Sequence, residues 1–332
     1  MSYCSVIIPV HNERRNVEAL YKELNDVIEA DSRSYEVIWV NDGSTDGTGP
    51  WLEDHESSIH SVLSLRTNFG QSSAMKAGID HAQGDVIVFM DGDGQNDPAD
   101  IPKLLSELED GYDVVSGWRK DREASLLRRI LPSRIANSII SYTTGVKLHD
   151  YGCSLKAYRA EVLEGLPLYG ELHRFLPALA SWNGIELKEI PVNDRPRRYG
   201  ESHYGLGRIF PVVMDLIVVK FLMDYRFRPI RIFGRLSLWT FSGMVAGGGY
   251  LAYLKIALSK SLSDNALTTV VILLGIMSVQ FLILGLLGEQ QARIYSAAAG
   301  ERHYVIADRL TSDCFTSNTP ERQRRSDPVS PN

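Results

Sequence analysis

The sequence predicts an α/β protein: a Rossmann-like, doubly wound sheet, followed by amphipathic segments and two C-terminal membrane-length helices. Three observations predict it. From Ser5 to Ser116, short apolar runs alternate with helical periodicities, as strands joined by crossover helices do. Polar loops follow the apolar runs that end at Val10, Val40 and Met90, and open α/β sheets bind ligands beyond the carboxyl ends of their strands. Two long apolar runs, Leu236 to Leu258 and Leu267 to Gly288, follow a first part that reads as soluble.

Each element has a local reason. Ser5-Val-Ile-Ile-Pro9 is a β-branched run and predicts a strand. From Asn16 to Ala30, Val17, Leu20, Leu24, Val27 and Ile28 recur on one helical face. Tyr35 to Val40 predicts the second strand, and a helix is expected to start at Ser44 or Thr45. Val62 to Leu65 predicts the third strand, Ser72 to Ala82 a helix, and Val86 to Met90 a buried strand. Helix 99–110 and strand Val114 to Ser116 complete the alternation. From Ala124 to Ile140, apolar residues at helical spacing are interrupted by Arg128, Arg129 and Arg134, which predicts a basic amphipathic helix kinked at Pro132. Gly207 to Tyr225 is a second amphipathic segment, with Phe210, Val213, Leu216, Ile217 and Phe221.

The expected organisation is a catalytic domain over 1–206, an amphipathic juxtamembrane segment over 207–235, a two-helix hairpin over 236–288 and a tail over 289–332 that is disordered after about 311. Each apolar run matches the roughly 30 Å hydrocarbon core of a bilayer. Arg226, Arg228, Arg231 and Arg235 precede the first run, and Arg293, Arg302 and Arg309 follow the second, so both termini are expected in the cytoplasm. Small residues at Gly243, Gly247 to Gly249 and Gly275 permit close helix contacts, within one chain or between copies in a homo-oligomer.

Composition removes several functions. The 35 Lys and Arg against 41 Asp and Glu leave a net charge of -6, which argues against nucleic acid as a partner. The basic residues concentrate at 119–134 and 195–235, which suits a local anion or a membrane surface. Cys4, Cys153 and Cys314 are too far apart in sequence to suggest a disulfide framework or a zinc site. The start, Met-Ser-Tyr-Cys-Ser-Val, lacks the regions of a signal peptide.

The chemistry concentrates at Asp91-Gly-Asp-Gly-Gln95. Asp91, Asp93 and Gln95 sit at alternate positions on a loop loosened by Gly92 and Gly94, so their oxygens can converge on one hard cation. Mg²⁺ or Mn²⁺ suits such ligands when diphosphate oxygens complete the shell. An acidic turn closing a strand is the plainer alternative.

The loop has company. Pro9-Val-His-Asn-Glu13, Val40-Asn-Asp-Gly-Ser-Thr-Asp46, Asn68-Phe-Gly-Gln71 and Asp91-Gly-Asp-Gly-Gln95 each follow one predicted strand, in order. This series, over about residues 4 to 205, resembles the family 2 glycosyltransferases with the GT-A fold. The resemblance implies a nucleotide-binding role for Pro9, Asn12, Glu13, Asp42 and Asp91, with Glu13 and Asp42 on base and ribose. It implies that Asp93 and Gln95 hold the metal on the donor diphosphate, and that Asp91, Asp93 and Gln95 form the catalytic group.

The basic segment, Arg197-Arg-Tyr-Gly-Glu-Ser202 and the terminal runs further resemble polyprenyl-phosphate hexosyltransferases, including dolichol-phosphate mannose synthases. Residues 288–306 resemble the C-terminal stretch of the bacterial members. This implies donors such as UDP-glucose or GDP-mannose, undecaprenyl or dolichyl phosphate as acceptor, and the bacterial inner membrane as location. Arg119, Arg129, Ser133, Arg197 and Ser202 match family positions expected around the donor diphosphate and the lipid phosphate. Guanidinium forks suit phosphate oxygens. His203 departs from the usual lysine of the family, which makes any phosphate contact there pH-dependent. A lipid phosphate is already ionised, so no general base is expected, and Glu171 and His173 are read as structural.

Three other readings stay open on the sequence, the first being a glycosyltransferase that uses another sugar or lipid acceptor. A processive polysaccharide synthase shares the nucleotide motifs but carries Gln-x-x-Arg-Trp, and Gln290-Gln-Ala-Arg293 lacks the Trp. A catalytically silent membrane scaffold is the non-enzyme alternative, against which the intact Asp91, Asp93 and Gln95 weigh.

Overall fold

Tyr3–Val10 forms β1, whose alternate residues serve two cores: Val6 and Ile8 face one layer of side chains and Ile7 faces the other. That two-sided burial is why the strand is apolar throughout and not alternating. The computed structural model describes residues 3–120, 131–164, 166, 168, 170, 172–181, 184–196, 214, 216–221, 225, 228–259 and 266–299, without the side chains of 131–136 and 295–299.

The chain continues through α1 (Arg14–Ala30), β2 (Ser34–Asn41), α2 (Thr48–Glu53), β3 (His60–Ser64), α3 (Gln71–His81) and β4 (Val86–Phe89). It then forms α4 (Ile101–Glu109), β5 (Val114–Trp118), α5 (Leu131–Thr144), β6 (Lys156–Arg159), α6 (Ala160–Leu163), α7 (Leu176–Ala180) and β7 (Leu187–Pro191). The seven strands form one sheet in the order β3-β2-β1-β4-β6-β5-β7. Strands β1 to β4 run parallel to one another, as expected, so their carboxyl ends share one edge. Strand β6 runs antiparallel between β4 and β5, which makes the sheet mixed.

One core layer packs Val17, Leu20 and Leu24 of α1 and Leu104, Leu105 and Leu108 of α4 against Val6, Ile8, Trp39 and Val88. The other packs Ile7, Ile38, Phe89 and Tyr158 against Ala74 and Met75 of α3 and Leu176 and Leu179 of α7. Each large apolar side chain buried this way stabilises the fold by about 1.5–3 kcal/mol. Helix α2 starts later than Ser44 or Thr45, because Gly47 turns left-handed and the Asp46 carboxylate accepts from the Thr48 N–H at 3.0 Å. Pro132 is the second described residue of α5, and the part of the expected kinked helix that precedes Leu131 lies outside the described residues.

Helical residues 214 and 216–221 bury Leu216 and Val219 in the second core and leave Met214, Ile217 and Val218 exposed. Two helices, Ile230–Leu258 and Ala266–Ala299, then pair along their length. A Cβ on Gly285 would meet Ile230, one on Gly275 would meet Met244, and one on Gly247 would meet Val271, so the helices run antiparallel. The small residues therefore close the hairpin within the chain. Ser237 Oγ donates to the Ser278 carbonyl at 2.9 Å and Ser278 Oγ returns a bond of 3.1 Å to the Ser237 carbonyl, satisfying both hydroxyls between apolar surfaces. Among the described residues, one helix, over Ala266–Ile294, is long and apolar enough to cross a membrane.

Candidate active site

Strand-end loops build the site. Asn12 sits in the left-handed region at φ 56°, where its N–H donates to Ser44 Oγ at 3.0 Å and its Oδ1 accepts from the Thr45 N–H at 2.7 Å. The side chain thus ties the loop after β1 to the loop after β2. Glu13 adds a second tie, its N–H donating to Thr48 Oγ1 at 3.2 Å, while its carboxylate accepts from Asn16 Nδ2. Asp42 is buried, and its two oxygens accept from the N–H groups of Phe69 and Gly70 at 2.7 and 2.9 Å. It therefore fixes the loop after β3 as well as carrying charge into the site. Gly43 has φ 65°, and a Cβ there would lie 2.5 Å from the Thr67 carbonyl carbon, so only glycine lets these loops approach so closely.

At the end of β4, Gln71 Nε2 donates to Asp91 Oδ1 at 2.6 Å. Asp93 turns back onto its own loop, accepting from the Gln95 N–H at 3.0 Å. The Gln95 carbonyl accepts from the Arg195 N–H at 2.9 Å, and Arg195 pairs with Asp97 and Glu23, which pins the loop to the chain beyond β7. Asn96 Oδ1 accepts from Ser154 Oγ at 2.7 Å and faces the Asp91 N–H. Burial, reinforced by the charge of Asp93, pushes the Asp91 carboxyl up to about 6. Two carboxyl groups that repel each other beside a carboxamide are a donor set for a hard divalent cation, which would relieve that repulsion. Among the described residues, no group of three or more His, Cys, Asp or Glu forms a metal cage of its own. The set therefore fits a cation that shares its shell with a ligand's oxygens.

Behind this loop lies a cavity lined by Asp91, Gln71, Lys156, Tyr158, His173 and Arg174, among others. Lys156 is buried, and its ammonium donates to the Tyr151 carbonyl at 3.2 Å. Burial lowers the Lys156 ammonium, and it pushes the Tyr158 phenol up. Ser72 Oγ lies 2.9 Å from His173 Nδ1, so His173 is anchored to the start of α3. Arg119 makes a two-pronged pair with Asp150, Nε to Oδ2 at 2.7 Å and Nη2 to Oδ1 at 3.1 Å. Burial alone would lower that guanidinium, but the bonds to Asp150 override it and push it up.

The loops bring together Pro9, Asn12, Glu13, Asp42, Asp91, Asp93 and Gln95. Arg119, predicted at a phosphate, has its guanidinium paired with Asp150. Glu171, Arg129, Arg197, Ser202 and His203 lie outside the described residues, as does the side chain of Ser133 in α5. Sequence reading assigned no role to Gln71, Asn96, Ser154, Lys156 or Tyr158. The last three approach the site because β6 pairs with β4 in the register Phe89 to Lys156 and Ile87 to Tyr158, a pairing of distant segments with no local signal. Phe69, on the loop held by Asp42, is 60% exposed and faces outward.

A GT-A sheet whose strand-end loops present Asp42, Asp91 and Asp93 defines a nucleotide-sugar-dependent glycosyltransferase. Residues 5–166 match the model of Glycosyl transferase family 2. The chain is 39% identical to the dodecaprenyl-phosphate galacturonate synthase of Rhizobium johnstonii over 91% of each chain. It is 35% identical to the undecaprenyl-phosphate 4-deoxy-4-formamido-L-arabinose transferase of Edwardsiella ictaluri over 98% of each chain. Among solved structures, glucosyl-3-phosphoglycerate synthase of Mycobacterium tuberculosis, determined with Mn²⁺, UDP and phosphoglyceric acid, shares the fold with a TM-score of 0.53 at 17% identity, over 67% of this chain and 78% of that one. The chain belongs to family 2 of the glycosyltransferases.

Proposed function

We propose that this enzyme transfers a sugar from a nucleotide diphosphate donor to polyprenyl phosphate at the cytoplasmic face of a membrane. One observation carries the reading: strand-end loops bearing Asp42, Asp91 and Asp93 and an apolar helical hairpin occur in one chain that aligns over nearly its whole length with relatives named for that acceptor class. The family resemblance gave glucose or mannose as the sugar, whereas these relatives carry galacturonate and a formamido-arabinose. The donor is accordingly sought among modified sugars. Both hairpin helices span the bilayer in this reading, Arg228, Arg231, Arg235 and Arg293 stay at the cytoplasmic surface, and the exposed Met214, Ile217 and Val218 rest on the lipid.

In the reaction, an oxygen of the lipid phosphate forms a bond to the anomeric carbon as the bond from that carbon to the diphosphate breaks. The electron pair leaves with the nucleoside diphosphate and the configuration inverts. The nucleophile is already an anion, so no residue has to take a proton. Asp42, Glu13 and Asn12 orient the nucleoside, and Gln71 keeps the Asp91 carboxylate at the donor. Asp93 and Gln95 would hold Mg²⁺ or Mn²⁺, which when bound stabilises the charge that develops on the diphosphate. The basic segment around Arg129 and Ser133 and the stretch around Arg197 and Ser202 receive the lipid phosphate.

The test is to incubate membranes containing the protein with undecaprenyl phosphate and a panel of radiolabelled nucleotide sugars, neutral, acidic and amino. Transfer of label to lipid with at least one donor is expected. No labelled lipid with any donor in the presence of Mg²⁺ or Mn²⁺ would sink the reading.

A further inference from the structure

The cavity behind Asp91 has a floor made by one strand. Lys156 and Tyr158 lie two residues apart on β6, so both project from the same face of the sheet and both line the cavity. Tyr158 is fully buried, yet its hydroxyl finds no hydrogen-bond partner among the described residues. A buried phenol normally has one, and leaving it unmatched destabilises the fold. The Lys156 ammonium carries three N–H donors, of which one is accounted for by the Tyr151 carbonyl. Arg174 lines the same cavity, beside His173 with its link to Ser72. The floor and wall thus offer O–H and N–H donors and two cations, while the acidic side, Asp91, is engaged by Gln71.

We infer that this cavity receives the donor's sugar ring and selects a sugar bearing a carboxylate, a nucleotide-activated uronic acid, through Lys156, Tyr158 and Arg174. The inference rests on the reading of the Asp91 loop as a nucleotide-sugar site. The chemistry is one of matching. A carboxylate offers two oxygens with about four acceptor sites, enough to satisfy the Tyr158 hydroxyl and the Lys156 ammonium together. It also adds a negative charge beside the buried Lys156 ammonium, which the charges of Asp150 and Asp91 already favour in part and which a neutral hexose would leave otherwise unchanged. A neutral sugar would leave the ammonium poorly matched in a site shielded from water, and sites built around a polar partner reject ligands that lack it.

The experiment measures binding of UDP-galacturonic acid, UDP-glucuronic acid, UDP-galactose and UDP-glucose to the full-length protein in lipid nanodiscs with Mn²⁺, alongside transfer of each sugar to undecaprenyl phosphate. The acid-to-neutral affinity ratio is expected to be at least about 30, about 2 kcal/mol in selectivity. Tyr158→Phe removes a hydroxyl that no described protein group engages, so it is expected to fold normally and to lower the ratio several-fold. Lys156→Met and Arg174→Gln are expected to bring it close to one. Reading the ratio cancels any general loss of binding. Neutral donors bound as well as their acids, or a ratio that none of the three substitutions moves, overturns the inference, and so does absence of binding by every donor. If a neutral sugar reaches the lipid, the proposed function stands and the uronate inference fails. If the acid is bound selectively but no lipid is labelled, the inference stands and the acceptor reading fails.

Discussion

Arg119 and Asp150 are a buried, two-pronged ion pair that joins the end of β5 to the loop leading into β6. Asp150 also accepts from the Gly152 N–H at 3.1 Å, so a single carboxylate holds both the arginine and the turn that precedes Ser154 and Lys156. Removing the acid leaves a guanidinium buried without its counter-charge, which costs about 3–5 kcal/mol. Asp150→Ala is therefore expected to lower the thermal unfolding midpoint of the purified protein in detergent by several degrees and to abolish transfer. Arg119→Lys keeps the charge but loses the fork, so a smaller loss of stability is expected. An Asp150→Ala midpoint equal to that of the parent would refute the structural role of the pair.

Asp42 gives a second, separable prediction. Its two oxygens both accept backbone N–H groups, which fixes the loop bearing Phe69 relative to β2. Asp42→Asn replaces one acceptor oxygen by a donor that faces an N–H. Hydrogen bonds to a charged group are worth about 1.5–3 kcal/mol, so nucleotide affinity should fall roughly 10- to 100-fold. Calorimetric titration with UDP and Mn²⁺ measures it. Unchanged affinity would remove Asp42 from the nucleotide site.

Much of this was legible in the sequence because β1 to β4 are consecutive, parallel and buried on both faces. Such strands read as unbroken apolar runs, and each run here ends in a polar loop, so Pro9, Asn12, Glu13, Asp42, Asp91, Asp93 and Gln95 could be placed on one edge before any coordinates. Strand β6 was not legible. It has four residues, two of them Lys156 and Arg159, and its position between β4 and β5 depends on pairing across about seventy residues of chain. Missing β6 meant missing Lys156 and Tyr158. The pairing of Arg119 was not legible for a related reason: its partner Asp150 lies on a loop whose position follows from β6.

The cation site predicts a sharp loss. Asp93 is mostly buried in its loop, and Asp93→Ala removes one of two close carboxyl groups without emptying the apolar core. Transfer is expected to disappear, while membrane insertion and the unfolding midpoint stay near those of the parent chain. Chelation with EDTA should have the same effect on the parent and be reversed by Mn²⁺. Transfer at normal rate in Asp93→Ala would take this residue out of the metal site.

Histidine 60 makes stability depend on pH. It is buried, accepts from Trp39 Nε1 at 3.0 Å through Nδ1, and donates through Nε2 to Asn25 Oδ1 at 2.9 Å. The bond from Trp39 needs an unprotonated Nδ1, and burial lowers the ring's pKa from 6.5 to about 4. Between these values the unfolded chain binds a proton that the folded chain refuses. The stabilisation is complete above pH 6.5 and is lost as pH falls through this window, by about 3 kcal/mol in full. Melting curves from pH 7 to 4.5 should show the midpoint falling, with a shallower fall in His60→Gln. Equal slopes in the two proteins would mean that other groups carry the acid sensitivity.

The hairpin offers a test that is independent of catalysis. Gly247 lies where a Cβ would meet Val271 Cγ2 at 2.6 Å, and Ser237 and Ser278 approach with their hydroxyl oxygens 3.3 Å apart. In a bilayer, helices gain little from the hydrophobic effect and associate through close packing and hydrogen bonds, so the small residue and the paired hydroxyls carry the contact. With Ser237→Cys and Ser278→Cys introduced together, and Cys4, Cys153 and Cys314 replaced by Ala, mild oxidation in native membranes should form the cross-link. Adding Gly247→Leu should push the helices apart and sharply reduce it, because Val271 is β-branched and cannot rotate clear of the added side chain. Cross-linking that survives Gly247→Leu at the same rate would show that the two helices do not pack through this face.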